Sequence, residues 1–115
     1  MKTEIIEVEN GDRWLLFWCP GCATIHRPRI AGEGRPMWTW NGDRDTPTLS
    51  PSVVTWFGPM TTLPAGRLDA GKVYVCHLVL TEGRIRFLDD CTHTLTGQTV
   101  DLPDLEDQWR DLSRG

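Results

Sequence analysis

The chain lacks several features that would assign it to a class directly. No stretch approaches the roughly 20 consecutive apolar residues that a membrane-spanning helix needs. No run of Lys or Arg occurs and the net charge is −4, which argues against a protein that follows nucleic-acid phosphates. A local basic strip such as Arg27, Arg29 and Arg35 is nevertheless compatible with an acidic total. Residues 1–4 lack the charged-then-apolar pattern of a signal peptide, so we expect a cytoplasmic protein.

The chain has four cysteines. Because the cytosol keeps thiols reduced, we do not expect structural disulfides, and metal ligation or simple burial remain. Cys19 and Cys22 flank a Pro-Gly turn that follows an apolar run, a spacing that supplies half of a tetrahedral zinc site. The same spacing occurs in thioredoxin-type redox pairs. That chemistry needs a helix to begin at the first cysteine, whereas both flanks here have strand patterns.

The residues that are present indicate a mainly β fold. Eleven Gly and eight Pro predict many turns, and the length predicts a single zinc-binding β domain over residues 1–115. Asn10-Gly11 is a hairpin signal, and the following segment of residues 13–19 is apolar on both faces, as in a central strand. We expect a compact antiparallel sheet or sandwich of about six or seven strands, with a zinc knuckle and one short C-terminal helix.

The remaining elements follow from alternation and from Gly and Pro. Pro47 and Pro51 exclude a helix around residues 45–52. Pro103 and the acidic residues after it predict a helix over 103–113. Residues 58–71 form a long loop. The predicted strands are residues 3–8, 13–19, 23–30, 52–57, 72–80 and 84–89, with Trp38 and Trp40 on one face of another strand.

The other half of a metal site must come from Cys76, His77, Cys91 or His93. His26 lies closer in sequence but has the pattern of a surface strand residue. The segment of residues 72–89 predicts a hairpin, and its turn decides which residue joins Cys91. A two-residue turn at Glu82-Gly83 puts Cys76 and Cys91 on one face. A three-residue loop with Gly83 left-handed puts His77 there instead. We favour the longer loop, because Glu-Gly is a poor dipeptide for a two-residue turn.

Several segments together resemble a family of small phage and prophage proteins. They are FWCPGC, WTWNGD, PTLSPS and CHLVLTEGRIRFLDDCTHTLTGQTVDLPD. The family is catalogued as a domain of unknown function with Cys/His motifs, and it has distant relatives in bacterial ubiquitin-like conjugation operons. The resemblance implies metal binding and phage biology, hence the cytoplasm of a host cell. In the distant relatives a His six residues before the hairpin Gly corresponds to His77, which implies that His77, rather than Cys76, is a ligand.

We therefore predict a Zn²⁺ site with the ligands Cys19, Cys22, His77 and Cys91, with Cys76 and His93 as alternatives for the fourth position. Such a Cys₃His sphere is closed and suits a structural ion. We favour a small binding or accessory module, acting on a host factor or a small ligand, over an enzyme. Six Trp on a small β domain are compatible with an exposed apolar patch and a homodimer.

A zinc-dependent hydrolase is the alternative. With three protein ligands, the fourth position would hold water, and Asp89, Asp90 and His93 lie beside Cys91 to act as base or second shell, with Asp90 and His93 as the catalytic candidates. Ser50 and Ser52 would line the same mouth. However, the sequence contains neither the His-x-Glu motif of zinc deaminases nor His-Glu-x-x-His.

Overall fold

A computed structural model describes residues 2–57 and 74–108. The fold is mainly β, as predicted, and its strands are antiparallel. The predicted loop over residues 58–71 and the second half of the predicted C-terminal helix lie outside the described residues. Within them, no helix is long and apolar enough to cross a membrane.

The first sheet is built around the predicted central strand. Its order is β1-β2-β3, with β4 also pairing with β2. Gly11 adopts a φ of 91° in the predicted Asn10-Gly11 turn, which joins the first two strands. The four strands are β1 (Thr3–Glu7), β2 (Arg13–Cys19), β3 (Thr24–His26) and β4 (Arg29–Ala31).

The second four-stranded sheet carries most of the chemistry described below. Its order is β10-β9-β8-β7, so β7 lies at one edge. A separate pair of two-residue strands, β5 (Thr39–Trp40) and β6 (Leu49–Ser50), leads into it. The four strands are β7 (Val53–Phe57), β8 (Tyr74–Thr81), β9 (Arg84–Phe87) and β10 (Thr99–Asp101).

The two larger sheets share one core. Leu15, Phe17 and Cys19 alternate along β2 with period two and are fully buried. Cys76, Leu78 and Leu80 do the same along β8, and Ile85 and Phe87 along β9. All of these belong to one cluster of buried residues, together with Leu49, Val53 and Leu102. A short helix, α1 (residues 105–108), follows β10 and buries Leu105 completely.

The register that we favoured for the β8–β9 hairpin is wrong. Thr81 pairs with Arg84 and Leu78 with Phe87, so Glu82-Gly83 is a two-residue turn. Both turn residues are left-handed, with φ of 47° at Glu82 and 77° at Gly83, the conformation of a primed hairpin turn. Contacts with a distant loop stabilise this turn, because the Glu82 N–H donates to Thr48 Oγ1 and the Gly83 N–H to the Pro47 carbonyl.

Candidate active site and metal centre

Consecutive residues of β8 point to opposite sides of the second sheet. Cys76 is 1% exposed and faces the first sheet, whereas His77 is half-buried on the outer face. Across the β7–β8 pair, Thr55 lies opposite Cys76 and Val54 lies opposite His77. The sheet therefore separates two sites, one between the sheets around Cys76 and one on its outer face around His77.

The outer site is a chain of hydrogen bonds through His77. Its Nε2 lies 2.9 Å from Ser52 Oγ, and its Nδ1 lies 3.0 Å from Asp90 Oδ2. Because a carboxylate oxygen accepts, the ring proton lies on Nδ1 and Nε2 accepts the Ser52 hydroxyl proton. The His77 side chain is 25% exposed and that of Asp90 58% exposed, so the site is open to solvent. Ser52, immediately before β7, is thus hydrogen-bonded to a histidine whose other ring nitrogen contacts a carboxylate.

Contacts from two segments outside the strands hold the backbone of this site. The Trp38 indole N–H donates to the Ser52 carbonyl at 3.1 Å. The His77 backbone N–H lies 3.2 Å from Cys91 Sγ, and the Cys91 thiol donates to the His77 carbonyl at 3.1 Å. Cys91 is buried, and burial raises the pKa of its thiol. Through these two contacts Cys91 connects the backbone of His77 to the segment that carries Asp90.

The inner site contains the predicted knuckle. After β2 the chain turns through Pro20 and Gly21, and the Ala23 N–H donates to the Cys19 carbonyl at 2.8 Å. The Cys22 N–H lies 3.4 Å from Cys19 Sγ, an N–H···S contact that orients the sulfur. Cys76 reaches this turn from the second sheet, with 3.8 Å between its sulfur and that of Cys19.

His26 completes this group, although its pattern predicted a surface residue. It pairs with Phe17 across β2 and β3, on the face that also carries Cys19, and is 7% exposed. Its Nδ1 lies 3.5 Å from Thr55 Oγ1, whereas its Nε2 is buried and has no hydrogen-bond partner among the described residues. The donor atoms of Cys19, Cys22, His26 and Cys76 all lie within 4.8 Å of one another. These four buried residues could hold a metal ion.

Crowding of the sulfurs raises the pKa of the thiols in the inner site. The pKa of Cys19 rises to about 12, chiefly through its hydrogen bond with Cys22. The pKa of Cys76 is raised by hydrogen bonds with Cys19 and Cys22 and by burial. Neighbouring thiolates repel one another, and a divalent cation would relieve that repulsion by stabilising the deprotonated forms. A divalent cation bound between these sulfurs would therefore strongly favour the deprotonated thiols.

Cys76, Cys91 and His93 form a second group of three possible ligands. The His93 ring packs edge-on against Phe87, with 4.6 Å between ring centroids. Its Nδ1 accepts the Leu95 N–H at 3.2 Å, so Nε2 carries the proton and donates to Cys76 Sγ at 3.4 Å. Burial lowers the pKa of His93, which favours this neutral ring. His93 thus forms a hydrogen bond with the Cys76 sulfur, although it does not belong to the first group.

The structure divides the predicted ligand set between these sites. Cys19 and Cys22 belong to the first group, Cys91 to the second, and His77 to neither of the groups found among the described residues. The two alternatives, Cys76 and His93, lie together in the second group, and Cys76 also belongs to the first.

The structure also places the residues of the alternative hydrolase. Asp90 contacts His77, as described above, whereas Ser50 is exposed on β6. Sequence reasoning missed His26 as a possible ligand and Ser52 as a partner of His77. A two-residue turn at Glu82-Gly83 is the feature from which the sequence could have predicted that Cys76 faces inward and His77 outward.

A serine, a histidine and a carboxylate joined in this order by hydrogen bonds form the arrangement that serine hydrolases use, and the arrangement is recognised by geometry rather than by sequence position. A comparison with protein families agrees with this class. Residues 1–88 match the family described as bacterial ubiquitination-like system serine protease (BubE), and the chain belongs to this family. The match includes Ser52, His77 and the first metal group but ends before Asp90. No curated protein and no solved structure matched the chain.

Proposed function

We propose that the protein is a serine peptidase of a bacterial ubiquitination-like system, with Ser52 as nucleophile, His77 as general base and Asp90 as the carboxylate that orients the base. The continuous hydrogen bonding from Ser52 Oγ through both His77 nitrogens to Asp90 carries this proposal. The description of the family supports the reaction and the biological setting. A binding module does not explain why a serine hydroxyl faces a carboxylate-bound imidazole.

The reaction follows from the geometry. Ser52 Oγ attacks the carbonyl carbon of the scissile bond while its proton passes to His77 Nε2. His77 returns this proton to the leaving amine as the carbonyl–nitrogen bond breaks, which leaves an acyl ester on Ser52. A water molecule then attacks the ester and gives a proton to His77 Nε2. His77 passes this proton to Ser52 Oγ as the ester carbon–oxygen bond breaks, which releases a carboxylic acid and restores the Ser52 hydroxyl. Asp90 accepts the Nδ1–H throughout and stabilises the imidazolium form.

Covalent labelling with a fluorophosphonate probe tests the nucleophile directly. The wild-type chain should be labelled on Ser52, and Ser52→Ala should lose the label together with hydrolysis of p-nitrophenyl acetate, by a factor of about 10³ or more. Ser50→Ala is the matched control, because Ser50 lies two residues away on an exposed position of β6. Labelling that persists in folded Ser52→Ala would rule out Ser52 as nucleophile.

We further propose that the chain binds one structural Zn²⁺ through Cys19, Cys22, His26 and Cys76, so that His26 and Cys76 replace the predicted His77 and Cys91. Three observations support this set: the donor atoms converge, the knuckle N–H contacts the Cys19 sulfur, and His26 Nε2 is buried with no partner among the described residues. A Cys₃His sphere is closed, so the ion would position residues and take no part in the hydrolysis.

Metal content of four variants separates the two ligand sets. We expect His26→Ala and Cys76→Ala to lose zinc, because each removes one of the four donor atoms. His77→Ala and Cys91→Ala should keep one zinc per chain by elemental analysis. His77→Ala should also lose fluorophosphonate labelling while keeping zinc, which would separate the active site from the metal centre. If His26→Ala keeps one zinc per chain and His77→Ala loses it, the ligands are those predicted from the sequence, with His77 in place of His26.

A further inference from the structure

A basic cleft lies beside the active site at the edge of the second sheet. It has a volume of about 270 Å³. Val53 and Val54 of β7 form part of its wall, and Val54 is both directly opposite His77 and half exposed. Because Ser52 immediately precedes this strand, a chain lying in the cleft would reach the serine within one or two residues. The facing wall comes from β3, β4 and the segment up to Trp38.

Three arginines, Arg27, Arg29 and Arg35, line this cleft and are the basic strip noted in the sequence. Among residues 2–57 and 74–108, no carboxylate lies within ion-pair distance of any of them. Arg13, Arg44 and Arg84 differ, since each pairs with a Glu or Asp at 3.2–3.4 Å. The net charge of the chain is −4, yet this cleft brings together three arginines that have no carboxylate partner among the described residues.

Arg29 is held in place without an anionic partner. Its guanidinium lies over the Trp14 ring, 5.3 Å from the ring centroid, and passes against Gly34, where a Cβ would collide with it. Its Nε is buried and has no hydrogen-bond partner among the described residues. The Trp38 N–H donates to the Arg29 carbonyl at 2.8 Å, which fixes the same segment that contacts Ser52. The half-buried Arg29 is thus an immobilised guanidinium with no carboxylate partner among the described residues, an arrangement that suits a carboxylate ligand in the cleft.

The edge of β7 fits an extended peptide. Among the described strands β7 pairs with β8 alone and ends the sheet, and an edge strand of this kind is where an extended peptide can add by backbone hydrogen bonds. A peptide aligned along that edge would place its backbone against β7 and turn every second side chain toward the arginines, with Ser52 next to the end of the strand. This arrangement couples recognition of charge to positioning of the scissile bond.

From these contacts, we propose that the cleft lined by Arg27, Arg29 and Arg35 binds the carboxylates of an acidic, extended peptide and presents the adjoining peptide bond to Ser52. This substrate class rests on the proposed serine peptidase activity. The carboxylates come from Asp or Glu side chains near the scissile bond or from the carboxyl terminus of the peptide.

Protection of Ser52 from the fluorophosphonate probe tests the cleft with the full chain. The competitors are a short glycine-rich peptide with two glutamates, its glutamine counterpart, and the C-terminal amide of each. We expect the glutamate peptide to protect at about tenfold lower concentration than the glutamine peptide, an effect that salt reduces. If the terminal carboxylate is the recognised group, amidation instead of glutamine substitution should weaken protection.

Arginine variants connect the preference to the cleft. In Arg27→Gln/Arg35→Gln the tenfold difference should fall below about threefold, whereas Arg84→Gln, on β9 and paired with Asp101, should keep it. Equal protection by all four peptides in the wild-type chain, or an unchanged preference in the double variant, would overturn the proposal.

Failure of the hydrolase is distinguishable from failure of the cleft. If the probe labels no serine, the proposed activity fails, and the same peptides are titrated by tryptophan fluorescence. Binding of the glutamate peptide that depends on Arg27 and Arg35 would then still support the cleft. The absence of such binding would reject it.

Discussion

Cys76 and His77 show how one peptide bond can separate two kinds of chemistry. Because side chains alternate along β8, Cys76 contacts the knuckle between the sheets while His77 faces Ser52 on the outside. Cys91 links the two sites, since its sulfur contacts the backbone of His77 and also lies within 4.8 Å of the Cys76 sulfur. A small displacement of β8 would therefore disturb both the sulfur cluster and the hydrogen bonds of the histidine.

Asp90→Asn tests the carboxylate. We expect about a 10²–10³-fold loss in the rate of p-nitrophenyl acetate hydrolysis, because the amide no longer selects the ring proton on Nδ1. The expected loss is below the roughly 10⁴-fold of a buried triad carboxylate, since the Asp90 side chain is 58% exposed.

Asp89→Asn is the matched control for this measurement, because Asp89 is the adjacent exposed carboxylate and makes no hydrogen bond to His77 among the described contacts. It should retain most of the rate. Equal rates in Asp89→Asn and Asp90→Asn would show that the contact of Asp90 with His77 has no catalytic role.

The β8–β9 turn is the element on which the placement of both sites depends. Its amides donate to Thr48 and Pro47, and the Gly83 carbonyl accepts the Leu102 N–H at 2.9 Å. The turn therefore joins the hairpin, the segment before Ser52 and the approach to α1. These contacts fix the register that points Cys76 inward.

Gly83→Ala should destabilise the protein by more than the strain of a left-handed alanine alone. Gly83 has a φ of 77°, and a Cβ there would lie 3.2 Å from the Asp45 carbonyl oxygen and from the Thr46 Cα. We expect the free energy of unfolding to fall by about 2 kcal/mol or more in urea denaturation.

Gly42→Ala provides the comparison, because Gly42 has a similar φ of 85° with open space around a Cβ. It should cost only about 1 kcal/mol, the strain of a left-handed alanine. If the free energy of unfolding falls by the same amount in both variants, the close contact of Gly83 with the Asp45–Thr46 backbone does not contribute to the loss.

On the scale of the whole molecule, the four residues that could hold a metal ion come from both sheets. Cys19, Cys22 and His26 belong to the first sheet and its hairpin, whereas Cys76 belongs to the second. An ion bound there would cross-link layers that are otherwise held by one apolar cluster. The proposed active site, on the outer face of the second sheet, would depend on this link for the position of β8.

Chelation should therefore lower the melting temperature sharply. At free Zn²⁺ a thousandfold above its Kd, binding contributes about 4 kcal/mol. For a chain of 115 residues this corresponds to a shift of roughly 15 °C. Calorimetry before and after treatment with a strong chelator measures the shift, and added zinc should reverse it.

His93→Ala is a useful companion, because it removes a contact with Cys76 without removing a ligand of the proposed set. It should keep the zinc and show a much smaller shift. An unchanged melt after verified zinc removal would show that the ion does not stabilise the fold.

Local patterns were sufficient for much of the β architecture. The central strand begins and ends where the apolar run of residues 13–19 predicts, and the Asn10-Gly11 turn is confirmed. Both depend on residues close in sequence, where alternation and left-handed turn preferences act directly. The Cys19–Cys22 knuckle and its inclusion in a possible metal site follow from the same kind of local signal.

Pairings between distant segments decided the rest. The Glu82-Gly83 turn has a weak local preference, and its register depends on acceptors from Pro47 and Thr48, some 35 residues away. That register, in turn, placed His77 with Ser52 and Asp90 and brought Cys76 to the knuckle. A one-residue shift of a strand exchanges its two faces, so no local pattern could distinguish a metal ligand from a general base at His77.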